Sequence, residues 1–181
     1  MSTALIIVDI QNDYFPNGKM ELVNPDKAAA NAAKVLESFR QNNNENIFHV
    51  QHIAADPALG FFLKDTEGAE IHETVQPLEN ENIIIKHFPN SFLKTDLESK
   101  LKEKGITKVV VVGMMTHMCI DATVRAAVDL GYETTLIEDA CSTRDLSYEG
   151  KAVPAEQVHY AFVGALNGMY CAVTPTEDFL Q

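Results

Sequence analysis

Three side chains able to share protons stand where apolar runs end. Asp9 follows "LIIV", Lys86 follows "III", and Cys119 closes the stretch "VVVVGMMTHMC". A carboxylate, an ammonium and a thiol supply a base, a fixed cation and a nucleophile, the parts of covalent catalysis. Taken singly, each has a plainer role. A polar residue at the end of an apolar run is commonly where the chain reaches water, and a lone cysteine commonly serves as a small buried hydrophobe. Cys141 and Cys171 keep that plainer reading. Cys119 departs from it through its place, because "VVVVGMMTHMCIDATVRAA" passes from a β-branched strand into a helix. With Thr116 as N-cap, the sulfur falls in the first helical turn. Free N–H groups and the helix dipole there favour a thiolate, with a pKa below the usual value of about 8.5.

The elements that must carry these groups alternate along the chain. Strands are expected at 3–10 ("TALIIVDI"), 46–53 ("NIFHVQHI"), 82–88 ("NIIIKHF"), 107–113 ("TKVVVVG"), 133–140 ("ETTLIEDA") and 169–174 ("MYCAVT"). Helices are expected at 25–43, where Ala29, Ala33, Leu36 and Phe39 form one stripe, and at 94–105, 117–130 and 154–166. Residues 54–81, punctuated by Pro57, Gly60, Gly68 and Pro77, read as a long irregular segment. Strands separated by helical crossovers give an α/β fold, a doubly wound six-stranded parallel sheet in a three-layer α/β/α arrangement, within a single domain over 1–181. In such sheets ligands bind beyond the carboxyl ends of the strands. Asp9, Lys86 and Cys119 are all delivered to that edge.

Composition narrows the partners. With 14 Lys+Arg against 26 Asp+Glu, the net charge of −12 repels nucleic acid and anionic membranes. No apolar run approaches the roughly 20 residues that span a bilayer. The opening "MSTALIIVDIQ" lacks a positive n-region and reads as a strand rather than a secretory signal. Three cysteines without metal-type spacing fit a reducing cytoplasm. The expected partner is a small molecule, with no nucleic acid and no membrane.

Three ordered blocks carry a resemblance to a known family. "ALIIVDIQNDYF", "GAEIHETVQPLENENIIIKHFPNSFLKTDL" and "VVVVGMMTHMCIDATVRAAVDLGYETTLIEDACST" resemble, in that order, the segments of the isochorismatase-like cysteine hydrolases, from residue 4 to about 170. The superfamily includes nicotinamidases, N-carbamoylsarcosine amidohydrolases and ureidoacrylate amidohydrolases, on a Rossmann-like fold. The resemblance implies a catalytic triad of Asp9, Lys86 and Cys119. It also implies a cis peptide bond between Met114 and Met115, and an oxyanion hole built from the backbone N–H groups of Met115 and Cys119. Gln11, Phe15, His87, Phe88, Phe92, His117 and Met118, as neighbours of the triad, are candidate substrate-binding residues. Core packing is an alternative for each phenylalanine. Asn12 and Asp13 read as loop-shaping residues, and Asp121, Arg125 and Asp139 as a structural polar network. By the same likeness the chain is expected to form a homo-oligomer, a dimer or tetramer.

One departure bears on chemistry. The metal-dependent branch, typified by nicotinamidases, carries Asp-x-His after the second strand, where this chain reads "FHVQHIAADP". His49 and His52 are three apart on a strand and point to opposite faces, so they cannot share an ion. His72 is isolated. No catalytic metal and no cofactor are expected, which weakens nicotinamide as a substrate. The expected reaction is cleavage of a small amide-type C–N bond through a Cys119 thioester. Two alternatives stay open: vinyl-ether hydrolysis with Asp9 as acid, and a non-catalytic thiol redox sensor in which Cys141 resolves an oxidised Cys119.

Overall fold

A computed structural model describes residues 2–42 and 45–181. The central sheet contains β1 (Ser2–Val8), β2 (Ile47–His52), β3 (Asn82–Lys86), β4 (Ile106–Met114), β5 (Glu133–Ser142) and β8 (Ala172–Thr174). Their order is β3-β2-β1-β4-β5-β8, and every pairing is parallel. The α/β, three-layer reading holds. Helix α1 (Pro25–Gln41) and the short α5 (Thr176–Phe179) cover one face, while α2 (Leu97–Glu103), α3 (Asp121–Asp129) and α4 (Ala155–Leu166) cover the other. The predicted end of the first helix at Asn43 lies outside the described residues.

Strand alternation sorts the apolar side chains into two cores. Leu5, Ile7, Val110 and Val112 enter the layer under α1, and Ala4, Ile6, Val8, Val109 and Val111 enter the opposite layer. The unbroken apolar runs are therefore strands buried on both faces. Three features were not anticipated. An antiparallel hairpin of β6 (Leu146–Tyr148) and β7 (Lys151–Val153) stands apart from the main sheet, α5 adds a last turn, and the fourth strand enters its helix through a π-helical turn, Thr116–Ile120. The hairpin's three-residue strands are too short to give a periodicity signal.

The sheet order places the candidate site. Winding proceeds outward from β1 in one direction and from β4 in the other, so the β1/β4 boundary is the switch point where a crevice opens. Gly113 permits that boundary to close. It pairs with Val8, has φ +128°, and a Cβ added there would lie 2.0 Å from the Val8 carbonyl oxygen. Asp9, the next residue, turns out of β1 with φ +51°. Such left-handed backbone costs a non-glycine residue about 1–3 kcal/mol and must be held by its surroundings. The 54–81 segment is irregular but anchored. Asp13 accepts hydrogen bonds from the Lys19 N–H (3.1 Å) and the Phe62 N–H (2.7 Å), which supports its loop-shaping role.

Gly113→Ala is expected to destabilise the protein by more than about 3 kcal/mol in urea unfolding, because both the contact and the positive φ oppose a side chain. A loss below about 1 kcal/mol would mean that β1 and β4 can separate cheaply at Val8.

Candidate active site

β1, β2 and β3 end side by side at the carboxyl edge and deliver Asp9, His52 and Lys86. Strands lie about 4.8 Å apart, so β3 ends roughly 10 Å from β1. A lysine is long enough to reach across the intervening β2, and Lys86 does so. Its Nζ lies 2.8 Å from Asp9 Oδ2, and both side chains are wholly buried. The ammonium also donates to the carbonyls of Phe88 (3.0 Å) and Pro89 (3.2 Å) and lies 3.3 Å from His52 Nδ1. These contacts fix Lys86 as a stationary cation.

Asp9 is held differently. Apart from the Lys86 ion pair, neither carboxylate oxygen accepts a well-directed hydrogen bond among the described residues. Burial alone would favour its neutral form, but the charge of Lys86 and then His52 outweigh burial and keep its pKa below the usual value. Lys86 shows the converse. Burial opposes its charge, and Asp9 and Cys119 raise its pKa regardless. Buried charges of this kind are tolerable only as a pair, and removing one partner typically costs about 3–5 kcal/mol.

Cys119 completes the cluster from the π-helical turn after β4. Donor atoms of Asp9, His52 and Cys119 all lie within 4.8 Å of one another. Cys119 is 4% exposed, and burial, followed by the Asp9 carboxylate, pushes its pKa well above the usual thiol range, with Lys86 pulling back in part. The buried Asp9 carboxylate thus favours the thiol and opposes the thiolate that a helix N-terminus would favour. Thr116 is no N-cap either, because its hydroxyl pairs with His159 Nδ1 at 2.9 Å. The Met114–Met115 peptide bond is cis.

The predicted pocket residues divide. His117 is half-buried near the nucleophile, its Nδ1 2.6 Å from Thr143 Oγ1, and burial and then Arg144 lower its pKa, favouring the neutral ring. Met118 is exposed beside it. Phe88 contributes its carbonyl to Lys86, and its ring lies under the Lys94 ammonium. The remaining four have other work. Gln11 is a buried clamp: its amide donates to the carbonyls of His52 and Ala69, and its oxygen accepts from the His52 N–H, which leaves no donor for a ligand. Phe15 is buried and stacked on His72 at 3.6 Å. His87 follows Lys86 on extended chain and so points the other way, where it binds the Ile53 carbonyl. Phe92 packs into the core beside Tyr132.

His52 is the residue that the sequence reading passed over. His49 pairs with Glu81 on the opposite face, as the spacing implies, and the same spacing leaves His52 on the side of Asp9. The last residue of the strand beside β1 had to face the same edge as Asp9. Tyr14 also borders the cluster. It is buried, and burial, Cys119 and Asp9 hold its phenol neutral. Asp9, His52 and Cys119 form a donor set suited to a soft divalent ion, yet the Lys86 ammonium already stands against two of them. The set does not fit a resident metal. Of the structural polar network, Asp121 and Arg125 form an ion pair on α3, and Asp139 accepts from the N–H and hydroxyl of Thr176.

Comparisons with known proteins agree with the fold. The model of the isochorismatase domain matches residues 3–178. An uncharacterized isochorismatase family protein of Bacillus subtilis, YddQ, is 60% identical over all of both chains. A solved structure described as an isochorismatase hydrolase, from Oleispira antarctica, superposes with a TM-score of 0.94 at 46% identity, covering 99% of this chain and 96% of that one. The ureidoacrylate amidohydrolase RutB of Acinetobacter baylyi is 28% identical, covering 99% of this chain and 82% of the relative.

The charge arrangement predicts opposite effects from its two ions. Asp9→Asn removes the anion that opposes a thiolate, so the pH midpoint for iodoacetamide alkylation of Cys119 is expected to fall. Lys86→Met removes the cation, so that midpoint is expected to rise. Midpoints that stay together in all three proteins would show that the three groups are not electrostatically coupled.

Proposed function

This chain belongs to the isochorismatase family, and on that premise we propose that it is a cysteine hydrolase cleaving the amide-type C–N bond of a small acyl compound without a metal. The observation that carries this reading is the buried Asp9–Lys86 ion pair set against the Cys119 thiol. The class named for RutB, an amidohydrolase, supports it.

The reaction follows from the protonation states. Asp9 rests ionised and Cys119 rests protonated, so the first step moves the thiol proton to Asp9 as the sulfur attacks the acyl carbon. A thiolate formed early would be a buried anion beside a carboxylate. Transfer during attack avoids it, because the negative charge moves onto the acyl oxygen as the S–C bond forms. The backbone N–H groups of Met115 and Cys119 receive that oxyanion, an arrangement worth several kcal/mol where such donors are preorganised. Asp9 then passes its proton to the leaving nitrogen, the C–N bond breaks, and amine or ammonia departs. Water gives a proton to Asp9 as its oxygen attacks the thioester, and the sulfur takes that proton on leaving. One water is consumed, one acid and one amine are released, and Lys86 stays protonated throughout.

Asp9 as an acid for vinyl-ether cleavage fits less well, since Lys86 keeps its carboxyl ionised. A redox sensor also fits less well. Cys141 is buried and its sulfur donates to the Ile137 carbonyl. Burial raises its pKa, which is unlike a thiol poised to resolve an oxidised partner.

A panel of small amides, ureas and carbamoyl compounds, assayed for released amine or ammonia, is expected to yield a substrate. Cys119→Ala is expected to lose at least about 10,000-fold in kcat/KM on it. Activity surviving that substitution would transfer the chemistry to Asp9.

A further inference from the structure

The outer edge of β3 is open. β3 stands first in the sheet order, and among the described residues no strand lies beyond it. The Ile53 N–H bonds to the Lys86 carbonyl, so Lys86 turns its backbone groups toward β2. Along a strand the N–H and C=O groups of successive residues face alternate sides. Asn82 and Ile84 therefore also face β2, while Ile83 and Ile85 face outward. Their two N–H and two C=O groups have no partner among the described residues.

The side chains leave the same edge uncovered on one face. Ile84 is fully buried in the core layer of Leu97 and Leu101 from α2. Ile83 and Ile85 point to the other face and are 47% and 45% exposed. Beside Ile85 that face opens into a groove of about 450 Å³, with Ile53, Lys64 and His87 among its walls. Edge strands are usually guarded by an outward charge, a proline or a bulge. β3 has no proline, and its pairing with β2 runs without a register shift. Its one charged side chain, Lys86, is drawn inward to Asp9, and its amide, Asn82, donates to the Ile47 carbonyl. The demand for a cation in the crevice has removed the guard from the edge.

We propose that the occupant of this edge is a second copy of the chain, paired antiparallel through β3 about a twofold axis at Ile84. The strand is its own complement in that register. Ile83 of each copy stands opposite Ile85 of the other, and each such pair exchanges two N–H···O bonds, four in all. The isoleucine side chains of each pair touch on the face that the single chain exposes, a favourable contact for β-branched residues. An arbitrary extended peptide would meet the backbone groups alone. A strand with two outward isoleucines two residues apart also covers both side chains, and the chain supplies that strand itself. Two five-residue strands bury less than the roughly 800 Å² per subunit of a stable interface. Half-exposed Leu78 and Leu93, in the segments that enter and leave β3, are the apolar side chains available to widen it. The inference is independent of the proposed reaction.

Two measurements test it. Sedimentation equilibrium of the wild type at micromolar concentration is expected to give twice the chain mass. Ile83→Lys, which places a guard on an already exposed position, is expected to give the mass of one chain with an unchanged circular dichroism spectrum. The second measurement fixes the register without relying on that variant. Cα atoms of a hydrogen-bonded antiparallel pair lie about 5.5 Å apart, within the range of a disulfide. Ile83→Cys and Ile85→Cys are purified separately, mixed to exchange subunits and oxidised with glutathione disulfide. Peptide mapping is expected to show a bond joining positions 83 and 85, and at least tenfold more cross-linked dimer than either variant alone. A wild type with the mass of one chain overturns the inference. A dimer that folded Ile83→Lys leaves intact, or a mixture without excess of the 83–85 bond, also overturns it, because the copies then meet elsewhere or in another register.

Discussion

The ion pair between Lys86 and Asp9 is the constraint to which the rest of the site conforms. Two full charges lie wholly buried 2.8 Å apart. Neither could remain ionised alone in that environment, so each sets the state of the other. Lys86 is further committed to two backbone carbonyls, which leaves Asp9 as the member with unused acceptor capacity. Because Asp9 is already an anion, a second anion beside it is disfavoured and the nearby sulfur keeps its proton. In the proposed reaction the proton therefore rests on Cys119, beside the carboxylate that takes it when a substrate offers somewhere for the charge to go.

The fold serves this pair in specific ways. Parallel strands end in step, and the order β3-β2-β1-β4 brings three ends and one strand-to-helix turn to one crevice. Lysine is the residue whose length suits a cation carried two strands away from its partner. The close approach at Gly113 joins β1 to β4 directly below the Asp9 carboxylate. Gln11 ties the residue two past Asp9 to the backbone of His52, so the ends of β1 and β2 cannot drift apart. Positive φ at Asp9 is the local cost of turning its side chain into the crevice, and this clamp and pairing hold it there.

Much of this was legible in the sequence, for reasons that also mark where legibility stopped. Unbroken β-branched runs report strands buried on both faces, so the sheet could be read, and with it the edge at which Asp9, Lys86 and Cys119 emerge. Side-chain direction after a strand ends is a different matter. Gln11, Phe15, His87 and Phe92 lie close in sequence to Asp9 and Lys86, yet turns and strand alternation send them into clamps, stacks and core. His52 was concealed because its significance depends on β2 lying beside β1, a fact of topology rather than of motif. At Cys119 the pull of a helix N-terminus on the thiol is opposed by the buried carboxylate of Asp9, a contact that only the fold reveals.

The central claim is that the resting site holds a neutral thiol between an ionised carboxylate and a protonated lysine. Infrared difference spectra of the wild type against Cys119→Ser and against Asp9→Asn, at neutral pH, test it directly. The account predicts an S–H stretching band that disappears in Cys119→Ser and an ionised carboxylate band that disappears in Asp9→Asn. A missing S–H band together with a protonated Asp9 carboxyl band would contradict it, since the proton would then already have moved before any substrate arrived.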